Sequence, residues 1–454
     1  MANSKVQFIC SVCGEEYPKW SGKCSNCGNW NTLREQEISK LRSDKIGFDR
    51  ITLGLKESLP QLVRDVPVSK LQKIVTGNRE LDRVLSGGLV PGSLTLISGE
   101  PGIGKSTLVL QLAAQISQKQ NVLYVSGEES LSQIKMRAER LQVKPLKLHL
   151  FAETNLEKIL AQIKKIKPSL IIMDSIQTIY SDAFTGISGS ITQVSNCTNV
   201  LLEVAKLTNI PVVLVGHVTK TGNVAGPMIL EHIVDAILFL EGERYHDMRI
   251  LRVIKNRFGS TLEVGIFKMG ASGLIEVKNP SGLFIEERAA NNPGSVVFVN
   301  LEGNRPFLVE IQALVNRTIL TYPRRTASGV SLNRLQVLIA VLEKCCGLKL
   351  GNADIYVNVV GGFKLKEPAA DLAICLAIAS SLLGKVIPAG TVAIGEVGLL
   401  GDLRSVSQLM KRVEEAKRLG FKRCLVSGKH LPKISGIQIQ NFADLNAVLK
   451  IINS

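Results

Sequence analysis

The run SLTLISGEPGIGKSTLVLQLA sets a strand, a glycine-rich loop and a helix in sequence, and its spacing carries chemistry. Gly99-Glu100-Pro101-Gly102-Ile103-Gly104-Lys105-Ser106-Thr107 fits a P-loop, whose glycines let backbone N–H groups wrap phosphates at a helix N-terminus. Lys105 adds a point charge at the β and γ phosphates, and Ser106 gives Mg²⁺ a hydroxyl ligand, so ATP and Mg²⁺ are the expected cofactors. Further parts follow in order. LIIMDS brings Asp174 to the end of an apolar strand, where a carboxylate can hold Mg²⁺ through water. VLYVSGEES places Glu128 and Glu129 just past another strand; either could orient the attacking water, and Glu128 is favoured. PVVLVGHVTK ends with His217, which either feels the γ-phosphate or is a satisfied core histidine.

A second chemistry lies at the N-terminus. Cys10-x2-Cys13 and Cys24-x2-Cys27 are each followed by a glycine, the pattern of two knuckles whose four thiolates converge on zinc. A redox CxxC would need a strand–helix setting that this short segment lacks; iron remains an alternative metal. Four protein ligands leave no open position, so the expected role is structural. Trp20 and Trp30 either cover the small core or offer faces on which bases stack. Cys197, Cys345, Cys346, Cys375 and Cys424 are scattered in apolar contexts and read as reduced thiols.

Lys255-Asn256-Arg257-Phe258-Gly259 closes a β-rich run. Two cations one residue apart on a strand share a side, which suits a phosphate clamp or, alternatively, a solvated basic edge.

These residues need elements to position them. Between about residues 70 and 275, β-rich runs (SLTLIS, VLYVS, SLIIMDS, PVVLVGH, AILFL, RILRVIKN) alternate with helical stretches, predicting a largely parallel sheet with helices on both faces. FGSTLEVGIFKMG predicts a hairpin at its edge. The expected division is a C4 zinc finger over 1–32, a linker over 33–69, the nucleotide domain over 70–275 and a second α/β domain over 276–454. A chain of 454 residues with net charge +16 and pI near 9.4 should attract polyanions, nucleic acid first. It has no long apolar run and no secretion signal, so cytoplasmic residence and no membrane association are expected.

Over about 200 residues the nucleotide domain resembles the RecA-like ATPase core. That resemblance supports Glu128 as the catalytic carboxylate and His217 as the sensor, where glutamine is commoner. With the four-cysteine knuckle and KNRFG added, nearly the whole chain is similar to the RadA/Sms family of bacterial recombination and repair proteins. Membership implies a homohexameric ring with ATP between subunits. It also implies a DNA-dependent ATPase acting on single-stranded and branched DNA, promoting branch migration with a RecA-type recombinase. Lys255 and Arg257 would then reach a neighbour's γ-phosphate.

Residues 276–454 resemble the peptidase domain of Lon, through GGFKLKEPAADLAI and GEVGLLGDLRSV. In that family a serine is activated by a lysine on a later helix. Here Ala369 and Met410 stand at the two positions, with Lys411 one step around the helix. Cys375 and Ser380 lie in an apolar helix and read as core. From residue 276 onward there are 22 Lys plus Arg against 14 Asp plus Glu, a net of +8, which suits phosphate contacts. Arg305, Arg317, Arg324, Arg325 and Arg334 are the candidates for DNA. Three functions follow: an ATP-driven DNA motor, favoured; an ATP-dependent protease, opposed by Ala369 and Met410; and a nucleotide-gated DNA-binding adaptor.

Overall fold

Apolar strands that send alternate residues to two helix layers define the larger sheet. In β4 (Leu94–Gly99), Leu94 and Leu96 join one core while Ile97 joins the other. The same alternation runs through β5 (Val122–Ser126), β7 (Leu170–Asp174) and β8 (Val212–His217). One layer contains α1 (Arg79–Val84), α2 (Lys105–Ile116) and α3 (Leu131–Arg140). The other contains α4 (Leu156–Ile166) and α5 (Ile191–Thr208). Two buried faces require near-continuous apolar strands, which is what these segments are.

The computed structural model describes residues 6–10, 16–17, 19–26, 28–37, 62, 64, 72–217, 230–242, 247–279, 281–282, 292–319, 322–362, 364–428, 431 and 433–453. These fall into two units, Met1–Glu276 and Val277–Ser454. Adding β6 (Leu148–Ala152), β9 (Ala236–Glu241), β10 (Met248–Asn256), β11 (Val264–Gly270) and β12 (Gly273–Glu276) gives nine strands in the order β12-β11-β10-β9-β4-β8-β7-β5-β6. The six from β9 to β6 run parallel; β10, β11 and β12 extend the sheet antiparallel. FGSTLEVGIFKMG, expected to form a hairpin within itself, supplies a single strand, β11; the edge hairpin is β11–β12, tied to the phosphate-loop helix through Gln111, whose amide donates to the carbonyls of Ser272 and Leu274.

At the N-terminus, β1 (Val6–Cys10), β2 (Glu16–Tyr17) and β3 (Leu33–Glu37) form a small sheet in which Leu33 pairs with Cys10. The finger therefore continues past the expected boundary at 32 into the linker: β1 has two edges, and LREQE covers the second. The small core is Cys10, Cys24 and Leu33, packed by Phe8 and Tyr17. Trp20 and Trp30, one reading of which was core cover, are 59% and 69% exposed.

The second unit has a seven-stranded sheet with order β15-β16-β14-β13-β17-β20-β21. Its strands are β13 (Ser295–Glu302), β14 (Arg305–Arg317), β15 (Arg325–Ser328), β16 (Ala353–Val359), β17 (Thr391–Ile394), β20 (Arg423–Val426) and β21 (Gln438–Asn441); β18 (Glu396–Val397) and β19 (Leu403–Arg404) pair separately. The helices are α6 (Leu332–Cys346), α7 (Asp371–Leu383), α8 (Leu409–Arg418) and α9 (Leu445–Asn453). Among the described residues no helix is long and apolar enough to cross a membrane.

Candidate functional site

The phosphate loop joins β4 to α2, and two of its glycines have no substitute. At Gly99 a Cβ would sit 2.3 Å from the carbonyl oxygen of Leu240 on the adjacent strand. Gly104, the N-cap of α2, has φ +116° and would meet Met269 at 2.7 Å. No side chain caps α2, so its first N–H groups are directed into the loop, the arrangement that favours an anion.

Lys105 is 3% exposed, and its ammonium donates to the carbonyls of Gly99 and Glu100 at 3.0 Å each. Burial pulls its pKa below the ordinary lysine value, with Asp174 and Glu128 opposing the shift. A polyphosphate would favour the charged form further. Ser106 Oγ donates to Asp174 Oδ1 at 3.1 Å, so the two residues named for Mg²⁺ do converge and form a set of hard oxygen donors.

Sequence reasoning missed the residues that organise this carboxylate. The buried Tyr124 hydroxyl donates to Asp174 Oδ2, and burial followed by the Asp174 charge pushes that phenol well above its ordinary value, keeping it a donor. Arg137 Nη2 lies 3.9 Å from the same oxygen, while Nη1 holds Glu129 at 2.8 Å. Glu129 is thus committed to an ion pair. Glu128 instead accepts from Ser175, the residue after Asp174 across a cis peptide bond. Tyr124 left one signal, a polar tip inside the otherwise apolar VLYV. His217 ends β8 with its backbone beside Gly99; its side chain lies outside the described residues.

Lys255 and Arg257 are not brought to this loop. The register shifts between Val253 and Lys255, and β10 ends at Asn256, so Arg257 lies one residue past the strand rather than sharing a strand face with Lys255. Lys255 donates to the Glu231 carbonyl, and Arg257 Nη1 lies 3.3 Å from Asp235 Oδ1. Asp235 precedes β9, and its N–H bonds to the carbonyl of Leu94, the first residue of β4. The phosphate loop begins at Gly99, the last residue of that strand. Five residue steps at about 3.3 Å each put roughly 17 Å of strand between them.

Cys10 and Cys24 are buried, with Thr32 Oγ1 3.2 Å from Cys10 Sγ and Tyr17 OH 3.3 Å from Cys24 Sγ. Gly28, just past the second knuckle, has φ +72°, and its N–H bonds the Cys24 carbonyl, as a metal-binding turn requires. Two buried sulfurs in so small a core suit the zinc assignment; Cys13 and Cys27 lie outside the described residues.

In the second unit, Ala369 is buried in the turn Pro368–Ala370, Met410 is 55% exposed and Lys411 donates to Asn304. Cys375 is fully buried, and Ser380 both donates to Lys385 O and accepts from Gly294 N, as core residues do. Three DNA candidates have structural employment instead. Arg305 is buried and donates to Val277 O, Arg325 donates to the carbonyls of Ala353 and Leu350, and Arg334 grips Asp371 and Val397 O. Arg317 and Arg324 are exposed.

Family comparison matches residues 62–223 to an AAA domain, 8–35 to a rubredoxin metal binding domain and 325–430 to subunit ChlI of Mg-chelatase. The DNA repair protein RadA of Bacillus subtilis (strain 168) is 48% identical over 455 residues, covering 99% of both chains. That of Halalkalibacterium halodurans is 50% identical over 432 residues, 95% of this chain and 94% of the relative. The chain belongs to the RadA family of DNA repair proteins. Streptococcus pyogenes RadA is 46% identical across the full length of both chains. The RadA assignment accounts for the order of parts: zinc ribbon, RecA-like ATPase core, Lon-like C-terminal domain.

Proposed function

We propose that this chain is an ATP-driven DNA motor that processes recombination intermediates, promoting branch migration alongside a RecA-type recombinase. The supporting observation is the position of Arg257. About 17 Å of strand separate it from the chain's own phosphate loop, too far for a guanidinium to bridge, which supports a phosphate partner on a neighbouring copy. Lys105 binds the phosphates, Ser106 and Asp174 hold Mg²⁺, and Glu128, aimed by Ser175, orients the attacking water. The remaining loop residues, Glu100 to Gly104 and Thr107, line the phosphates. His217 senses the γ-phosphate, while Lys255 and Arg257 complete the next subunit's site. The assembly is a homohexamer in the cytoplasm that acts on single-stranded and branched DNA. Cys10, Cys13, Cys24 and Cys27 hold the zinc. Ala369 and Met410 leave the Lon-like domain without a nucleophile or a base, and its role is to scaffold the ring and hold DNA.

Steady-state ATPase with and without single-stranded DNA tests this reading. DNA should stimulate hydrolysis, and Lys105→Ala and Arg257→Ala should each abolish it, the latter with ATP binding retained. Mixing the two inactive variants should restore activity, because an intact finger then meets an intact phosphate loop. No gain on mixing rules out the trans site, and failure in a branch-migration assay rules out the motor.

A further inference from the structure

The finger is anchored by a carboxylate that serves two cations. Asp235 is 1% exposed. Its Oδ2 accepts from Leu94 N at 3.0 Å and from Lys206 Nζ at 3.1 Å, while Oδ1 faces Arg257 Nη1 at 3.3 Å. The backbone is fastened too, Arg257 N donating to Asp235 O at 3.1 Å. Lys206 comes from the last turn of α5, and its ammonium also lies 5.9 Å over the ring of Phe258, the residue after the finger. Both cationic side chains are about half exposed. Lys255, the other cation of the motif, is engaged elsewhere, on the Glu231 carbonyl.

We propose that Lys206 and Asp235 form a hold-and-release device for Arg257, an inference that rests on the trans-finger reading. Asp235 aims the guanidinium while no phosphate is in reach. When Arg257 departs for a neighbour's γ-phosphate, a buried carboxylate bound to it alone would be stranded and would resist the transfer. Lys206 and the Leu94 N–H stay behind on the other oxygen, so the charge remains compensated. Lys206 is therefore a positioning residue that keeps the finger free to move.

Full-length variants separate this from a packing role. Lys206→Met should lower kcat roughly tenfold, since Arg257 becomes, among the described residues, the sole cation on a buried acceptor and is held harder. Affinity for a nonhydrolysable ATP analogue should not change, and the melting temperature should stay well above the assay temperature. Adding Asp235→Asn, which keeps an acceptor for Leu94 N but no charge to retain a guanidinium, should recover most of the lost rate. Lys206→Arg should keep wild-type kcat. Absence of recovery in the double variant, or equal losses in Lys206→Arg and Lys206→Met, overturns the device. Arg257→Ala is the reference: if it hydrolyses ATP normally, the finger assignment itself falls; if it is inactive while Lys206→Met is normal, only the release device falls.

Discussion

Replacing Arg412 with methionine tests how the Lon-like frame is held. This guanidinium is fully buried, an unusual place for an arginine, and every face of it is used. It donates to Val299 O at 2.6 Å, to Ser407 O at 3.1 Å and to both carboxylate oxygens of Glu367, and its Cζ stands 5.9 Å over the Phe298 ring. Glu367 immediately precedes the turn that carries Ala369, so this one side chain pins α8 to that turn. Methionine fills similar volume but strands Glu367, which among the described residues keeps its side-chain bond from Leu301 N at 3.1 Å. Breaking a buried pair costs about 3–5 kcal/mol; because Glu367 is 25% exposed, water recovers part of its solvation and the low end, about 3, applies. In a domain of this size each kcal/mol moves the melting temperature by about 2–4 °C, so the C-terminal unit should melt about 6–12 °C lower. Calorimetry on the full chain reads this, with Met410→Lys, on the exposed side of the same helix, as a control that should not shift. A shift below about 1 °C in Arg412→Met would show that the ion pair contributes nothing beyond what its hydrophobic replacement supplies, an outcome the residue's burial argues against.

Tyr124→Phe removes the donor to Asp174 Oδ2 and should weaken Mg²⁺-dependent nucleotide binding roughly tenfold, the weight of about one hydrogen bond to a charged group, while binding without Mg²⁺ is unchanged. Equal losses by calorimetric titration with and without the metal would contradict the metal-orienting role. Elemental analysis should find about one zinc per chain, and Cys24→Ser should reduce it; unchanged metal content would refute the ligand set. Burial pushes the thiols of Cys197 and Cys424 up to about 12 and that of Cys375 well above its ordinary value. At pH 8 only about one in ten thousand of the first two is thiolate, so iodoacetamide should spare all three in the native protein and label them after unfolding. Native labelling of Cys424, read by mass spectrometry, would mean that this strand opens.

The phosphate loop was legible because its chemistry dictates local spacing: Gly99, Gly104, Lys105 and Ser106 act within eight residues. The sheet was legible because strands buried on both faces must be apolar throughout. Where function depends on long-range pairing, sequence was silent. Asp235 is one acid before AILFL, and its meaning comes from Leu94, 141 residues earlier, and from Arg257 beyond the next strand. LREQE looked like a tether because four consecutive polar residues after one leucine resemble solvated chain until a partner strand is known. The arginines misled for the same reason: Arg305, Arg325 and Arg334 are charged in sequence, but carbonyls and a carboxylate that only the fold supplies already occupy them.

One strand, β4, has the phosphate loop at its end and the anchor of Arg257 at its start. On the trans-finger reading proposed above, such a subunit is polar, giving from one end of the strand and receiving at the other. A head-to-tail contact lets every subunit give one finger and receive another. An open chain of such subunits always leaves one site without its finger and one finger without a site. Closing the chain removes both defects at once, so ring closure itself adds a working site without adding a subunit, and activity per protomer should rise most steeply at the concentration where ends meet.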